Sequence, residues 1–349
     1  MLRRSWKLTK NDRTRSLSVK IRQKFNSEAI HGVSISVNDE STLETLADLD
    51  EVVEFHPITI VPAPKPMKYF TANDKLKDGN LQPILPHAIS GVSKLHEQFQ
   101  NYGKGVRIAV VDSGIDYNHP TLGGCFRTDG CKIEDGYDFV GDSYGAADPI
   151  PKPDNDPYDG CPDGGHGTHV AGIIAGNSSG TKDSFYTPVT PFLGVAPQAT
   201  LLIYRVGGCP GEIGSDVFAQ AILAAYEAKA DIITTSIGSN SPYPTDIFTI
   251  AVDYVTSKGV YTTVCAGNEG EFGIQTIVTP SIATAAISVA SVDNTHTVKF
   301  ILIAPNGRKI PYLAGQAFSN DQSNFQSKIV VNGRLDLQRI YLINVHLSC

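Results

Sequence analysis

The sequence predicts an α/β protein: a parallel sheet with helices on both faces, preceded by a small β-α-β unit. Three observations predict it. Between about residues 104 and 292, short apolar runs alternate with helical patterns, and strands that are apolar on both faces belong to sheets covered on both sides. The runs end on polar and small residues, namely Asp112, Ser236 and the pair Gly267-Asn268, and strand carboxyl ends are where such sheets carry their sites. Ahead of this body, residues 30–62 read as strand, helix, strand and stop at the proline-rich stretch Pro62–Pro66.

Each element has a local reason. His31–Val37 places Val33, Ile35 and Val37 on one face. Ser41-Thr-Leu-Glu44 has the form of a capping box opening a short helix, and Glu51–Val61 is a second β-prone run. In the body, Val106–Asp112, Leu201–Val206, Ile232–Ser236, Val260–Cys265 and Ala286–Ala290 are expected strands. His166–Gly176, Asp216–Lys229 and Asp246–Ser257 are expected helices, the first so rich in Gly and Ala that it must pack closely. Beyond residue 292 apolar runs alternate with polar loops and no helix is evident. The expected divisions are therefore 1–66, 67–292 and a β-rich 293–349.

Charge is unevenly distributed. Residues 1–24 hold nine Lys/Arg and one acid, so the remainder has 20 of the 29 basic and 35 of the 36 acidic side chains. A body this acidic is a poor partner for nucleic acid, which demands basic surface. The basic head reads as a solvated, poorly ordered terminus, against a transit peptide or a phosphate-binding arm. No stretch approaches the roughly 18 apolar residues of a membrane span, and no apolar run follows the basic start as a secretory signal requires. Six cysteines are too few for a disulfide scaffold. Cys125 and Cys131 are close enough for a local bridge, and Cys265 reads as a buried thiol.

Three blocks carry chemistry: Ala109-Val-Val-Asp112-Ser-Gly-Ile-Asp116, Gly164-Gly-His166-Gly-Thr-His169-Val-Ala-Gly172 and Val264-Cys-Ala-Gly267-Asn268-Glu-Gly270. Each alone reads as a turn or a helix cap. Together they place an acid to orient an imidazole, an imidazole to move protons and an amide to meet developing negative charge. Acyl transfer through a nucleophile requires those three functions.

On these blocks the chain resembles the subtilisin-like serine proteases, the subtilases. Val-Val-Asp112-Ser-Gly-Ile-Asp is similar to the family's aspartate block, His166-Gly-Thr-His-Val-Ala-Gly to its histidine block and Ala-Gly-Asn268-Glu-Gly to its oxyanion block. The resemblance implies a subtilisin-like fold, with Asp112 orienting His166, His166 as general base and acid, and Asn268 as oxyanion donor. It implies that Ser236, Ile237 and Gly238 form one wall of the substrate cleft and that Gly211, Ile213 and Gly214 lie on the opposite wall. Main-chain pairing there would grip extended polypeptides broadly. It further implies that the β-α-β unit is an inhibitory propeptide, cut after about Pro62, and that the protein is secreted as a zymogen. The expected partners are polypeptide substrates and the chain's own propeptide, not nucleic acid or membrane. No cofactor is implied; a structural calcium ion is left open.

One block is missing. The family's Gly-Thr-Ser-Met-Ala occurs nowhere in the sequence, and Ser281, Ser288, Ser291, Ser319, Ser323, Ser327 and Ser348 all lack its small-residue context. The expectation is a chain truncated before the serine, with 293–349 beginning a protease-associated insertion. The alternative is a catalytically dead pseudoprotease that binds peptides. Two further readings fail on spacing. His166 and His169 are three apart where a zinc-protease helix needs four and a glutamate, so His169 reads as a packed helix residue. A dinucleotide site would need Gly-x-Gly-x-x-Gly where Asp-Ser-Gly-Ile-Asp stands.

Overall fold

The computed structural model describes residues 19–62, 85–179, 181–182, 192–239, 246–273, 276–292, 300–303, 308–312, 324–328 and 342–346. The basic residues before Val19, the linker Ala63–Pro66 and Cys349 lie outside them. In chain order the elements are β1 (Val19–Asn26), β2 (His31–Val37), α1 (Glu40–Ala47), β3 (Ile60–Pro62), α2 (Leu85–Ser90), α3 (Val92–Phe99), β4 (Arg107–Asp112) and β5 (Ile133–Asp138). They continue with α4 (His166–Ala175), β6 (Thr200–Arg205), β7 (Glu212–Gly214), α5 (Ser215–Glu227), β8 (Ile232–Thr235), α6 (Ile247–Ser257), β9 (Tyr261–Cys265) and β10 (Ile287–Val289). Two antiparallel pairs follow, β11 (Phe300–Ile303) with β12 (Lys309–Tyr312) and β13 (Asn324–Lys328) with β14 (Leu342–His346).

Six strands form one sheet in the order β10-β9-β8-β4-β6-β5, every neighbouring pair parallel. Side chains alternate across a strand, and β4 illustrates the consequence. Ala109 and Val111 enter the cluster that includes Phe218, Phe248 and Val252 of α5 and α6. Ile108 and Val110 enter a second cluster with Ala171 and Ala175 of α4. Helices therefore cover both faces, as the continuous apolar runs require. The rings of Phe218 and Phe248 meet edge-on at 4.5 Å.

The N-terminal region departs from its expectation. Residues 30–62 do run strand, helix, strand (β2, α1, β3), but β2 and β3 share no sheet: β2 pairs antiparallel with β1, from within the supposedly solvated head, and residues 51–59 are not strand. Val33 is 52% exposed, and the buried residue of β2 is Ser34. Helix α1 is capped not by Ser41 but by Asp39, whose Oδ1 accepts from the Thr42 N–H at 2.8 Å. What organises this region is the body beneath it. Phe25 joins the α5/α6 cluster, Arg22 Nε donates to Asp216 Oδ2, Ser34 Oγ donates to the same oxygen at 2.7 Å, and Lys258 Nζ lies 2.8 Å from Glu28 Oε2. β3 then pairs antiparallel with β7, Ile60 opposite Gly214, Val61 opposite Ile213 and Pro62 opposite Glu212.

Candidate active site

Because the sheet is parallel, Asp112 (β4), Thr235 (β8) and Cys265 (β9) all end strands at one edge. Asp112 is fully buried, and its Oδ1 accepts the Ser113 N–H at 2.7 Å. Helix α4 begins there, with Gly165 at φ +105° as its N-cap and His166 as its first residue. Gly167 is what permits the approach. A Cβ at that position would lie 2.1 Å from the Gly114 carbonyl oxygen and 3.2 Å from Asp112 Cβ. With no side chain in the way, His166 Nδ1 comes to 2.7 Å from Asp112 Oδ1.

That contact sets the chemistry of the ring. A carboxylate can only accept, so the Nδ1–H donates and Nε2 is left as the basic nitrogen of the neutral imidazole. Burial works to lower the His166 pKa. The hydrogen bond and charge of Asp112, with Asp159 adding to them, outweigh it and hold the pKa above the ordinary imidazole value. The side chain keeps 18% of its surface exposed while Asp112 has none, so a proton can be exchanged on one side of the pair only.

Asn268 stands exposed just past the end of β9, its backbone N–H on Glu269 Oε2 at 2.9 Å. Ser236, Ile237 and Gly238 follow β8, with Ile237 buried. They continue into a bridge between Ser239 and Thr279 whose two N–H···O distances are 2.8 and 2.7 Å. Gly211 precedes β7, while Ile213 and Gly214 lie in it and already bear the chain's own β3. Ser281 and Ser288 sit 2.5 Å apart, oxygen to oxygen, and bond each other. His169 is exposed rather than packed.

Sequence reasoning missed the groups behind the pair. Asp159 is 8% exposed, and its Oδ2 accepts from Ser113 Oγ at 3.0 Å and from the Gly165 N–H at 2.8 Å. Its only sequence signal is an acid seven residues before the histidine. Buried Arg205 donates to Asp138 Oδ2 (3.0 Å), Asp142 Oδ1 (2.7 Å) and the carbonyls of Tyr158 and Gly207 (3.0 and 3.1 Å). Burial raises the Asp138 pKa despite the Gly141 and Val140 N–H bonds and the Arg205 charge.

Cys125 and Cys131 are bridged as expected, and a second disulfide joins Cys161 to Cys209. Cys265 is free and half-buried, and burial pushes its thiol pKa up. Among the described residues, one group gathers three metal-type donors, Asp142, Cys161 and Cys209. Its sulfurs are bonded to each other beside the Arg205 guanidinium, so it offers a cation no site. No helix of the described residues is long and apolar enough to cross a membrane.

Residues 103–344 match the model of the Subtilase family. The chain is 35% identical over 201 residues to the minor extracellular protease Vpr of Bacillus subtilis, covering 57% of this chain and 22% of Vpr. It is 31% identical over 287 residues to the major intracellular serine protease of the same organism, covering 78% and 79%. To subtilisin E it is 31% identical over 216 residues, covering 61% and 48%. The chain thus spans about a fifth of Vpr and less than half of subtilisin E.

Proposed function

The chain belongs to the subtilase family, and on that premise we propose that it carries the acid and base of a serine-type endopeptidase acting on extended polypeptides. The observation that carries this reading is the 2.7 Å contact between His166 Nδ1 and fully buried Asp112. In it Asp112 orients the ring and stabilises its charged form, while His166 Nε2 takes the proton of an attacking hydroxyl and returns it to the leaving amine. Asn268 donates its side-chain amide to the oxyanion. Ser236–Gly238 and Gly211–Gly214 pair with the substrate backbone, and the chemistry needs no cofactor.

The nucleophile is the open part. Gly-Thr-Ser-Met-Ala is absent from the sequence, so the expected outcome for the 349-residue chain by itself is little or no hydrolysis. That same absence favours a second reading, a pseudoprotease whose cleft binds without cutting. Residues 19–62 act as an internal inhibitor in either case, a reading supported by β3 lying on the β7 wall. We assign 293–349 to the start of an insertion. Extracellular residence is supported by two disulfides; the relatives themselves include an extracellular and an intracellular protease.

The test is casein hydrolysis and fluorophosphonate labelling of the purified chain, alone and in a version extended by a Gly-Thr-Ser-Met-Ala-bearing segment. No labelling alone and labelling of the extended form supports the endopeptidase reading. Labelling of neither, with peptide binding retained, supports the pseudoprotease. Labelling of the 349-residue chain itself overturns the absence of a nucleophile.

A further inference from the structure

We propose that Asp159 is a positioning residue for the Asp112–His166 pair, locking the first turn of α4 onto the end of β4 through the hydroxyl of Ser113. The inference rests on the general-base reading of His166. Helix α4 begins with a difficulty: the first N–H groups of a helix lack partners within it, and its N-cap, Gly165, has no side chain to supply one. The structure answers from outside the helix. The Gly165 N–H goes to Asp159 Oδ2 (2.8 Å), and the Gly167 N–H goes to Ser113 Oγ (3.1 Å). Ser113 has one hydroxyl proton and gives it to that same Asp159 oxygen (3.0 Å), which turns its lone pairs towards Gly167. The carboxylate thus aims the hydroxyl, and the two together grip the backbone on either side of His166.

Asp159 is itself held. Its backbone N–H donates to the Ile115 carbonyl at 3.0 Å and its Oδ1 accepts the Cys161 N–H at 3.3 Å. A Cβ on Gly164 would lie 2.2 Å from that Oδ1, so the loop closes tightly on the carboxylate. A negative charge at a helix N-terminus is also favoured by the helix dipole. The charged and titratable groups facing the His166 ring are Asp112 from β4, Asp159 from the loop and His169 from α4 itself; Cys265 of β9 lies within the field of Asp112. Asp159 touches neither the ring nor a reacting atom, so its effect reaches the chemistry through placement and charge.

The experiment is an NMR titration of the His166 imidazole in the full chain, the resonance assigned by its loss in His166→Gln. This readout needs no hydrolysis, so it stands or falls apart from the endopeptidase reading. Asp159→Asn, which keeps shape and removes charge, is expected to lower the His166 midpoint by about 0.5 pH unit or more. Ser113→Ala is expected to lower it less and to speed amide exchange at Gly167. A drop in melting temperature with an unchanged His166 midpoint in Asp159→Asn overturns the proposal. If that variant does not fold, Ser113→Ala decides: an unchanged midpoint and unchanged Gly167 exchange overturn the proposal, and changes in both support it.

Discussion

Arg22 and Asp216 lie 194 residues apart in sequence and form an ion pair with an Nε–Oδ2 distance of 2.9 Å, their side chains only 4% and 1% exposed. Asp216 lies in the first turn of α5 and also accepts from Ser34, and Arg22 Nη2 donates to the Tyr144 hydroxyl at 2.9 Å. Removing one partner of a buried pair leaves the other charge uncompensated, at about 3–5 kcal/mol. Arg22→Ala is therefore expected to release the β1–β2 hairpin while leaving the six-stranded sheet intact. Hydrogen exchange across Val19–Val37 checks it, and protection equal to the native chain would refute it.

The dyad makes a prediction about pH. The folded pKa of His166 is raised, so the native state holds the proton more tightly than the unfolded chain. The stabilisation is fully present below the unfolded value of about 6.5 and is lost as pH rises through the higher folded midpoint. Denaturant unfolding of the native chain should show this loss between the two values. In Asp112→Asn the same window should be flat.

Gly167→Ala should disturb stability and site together. The added methyl would meet the Gly114 carbonyl and Asp112, forcing α4 away from β4 at about 1–3 kcal/mol. The expected result is a lower melting temperature and a lower His166 midpoint in the same variant. A change in one without the other would mean that the helix yields somewhere other than at the histidine.

The Cys161–Cys209 bridge ties the loop ahead of His166 to the segment ahead of β7 across 48 residues. On chain-entropy grounds a loop of this length contributes about 4 kcal/mol. Cys161→Ser with Cys209→Ser should lower stability by up to that amount in urea titration. Cys125→Ser with Cys131→Ser, which closes only 6 residues, should cost clearly less.

How far the sequence was legible follows from where the determinants sit. β4 and β6 are buried on both faces and β8 and β9 on one, and their apolar runs announce them to within a residue or two. β5 was missed because Ile133–Asp138 contains three acids, a tyrosine and Gly136. It is an edge strand, and its glycine is demanded by the Ile203 carbonyl oxygen, which a Cβ would approach to 2.5 Å. β1 was missed because Lys20, Arg22 and Lys24 suggest a solvated tail. The alternation with Val19, Ile21 and Phe25 was there to read, but nothing near Arg22 reveals Asp216. Glu51–Val61 erred the other way, since its β-prone pattern finds a strand partner only at Ile60–Pro62. The contact between Asp112 and His166 was legible from their blocks. Asp159 and the Cys161–Cys209 bridge were not, because each acts through a neighbour that only the fold supplies.

The pairing of β3 with β7 makes any incoming peptide a competitor against a tether. Ile60–Pro62 is held to the body by covalent chain, so its local concentration at the Glu212–Gly214 edge is of order 1 mM. A free peptide with the same intrinsic affinity, say about 10 μM, would have to be about 100-fold more concentrated to occupy half of the edges. Occupancy of this strand edge is then governed less by which residues a peptide offers than by whether the chain between the hairpin and α2 is whole or severed.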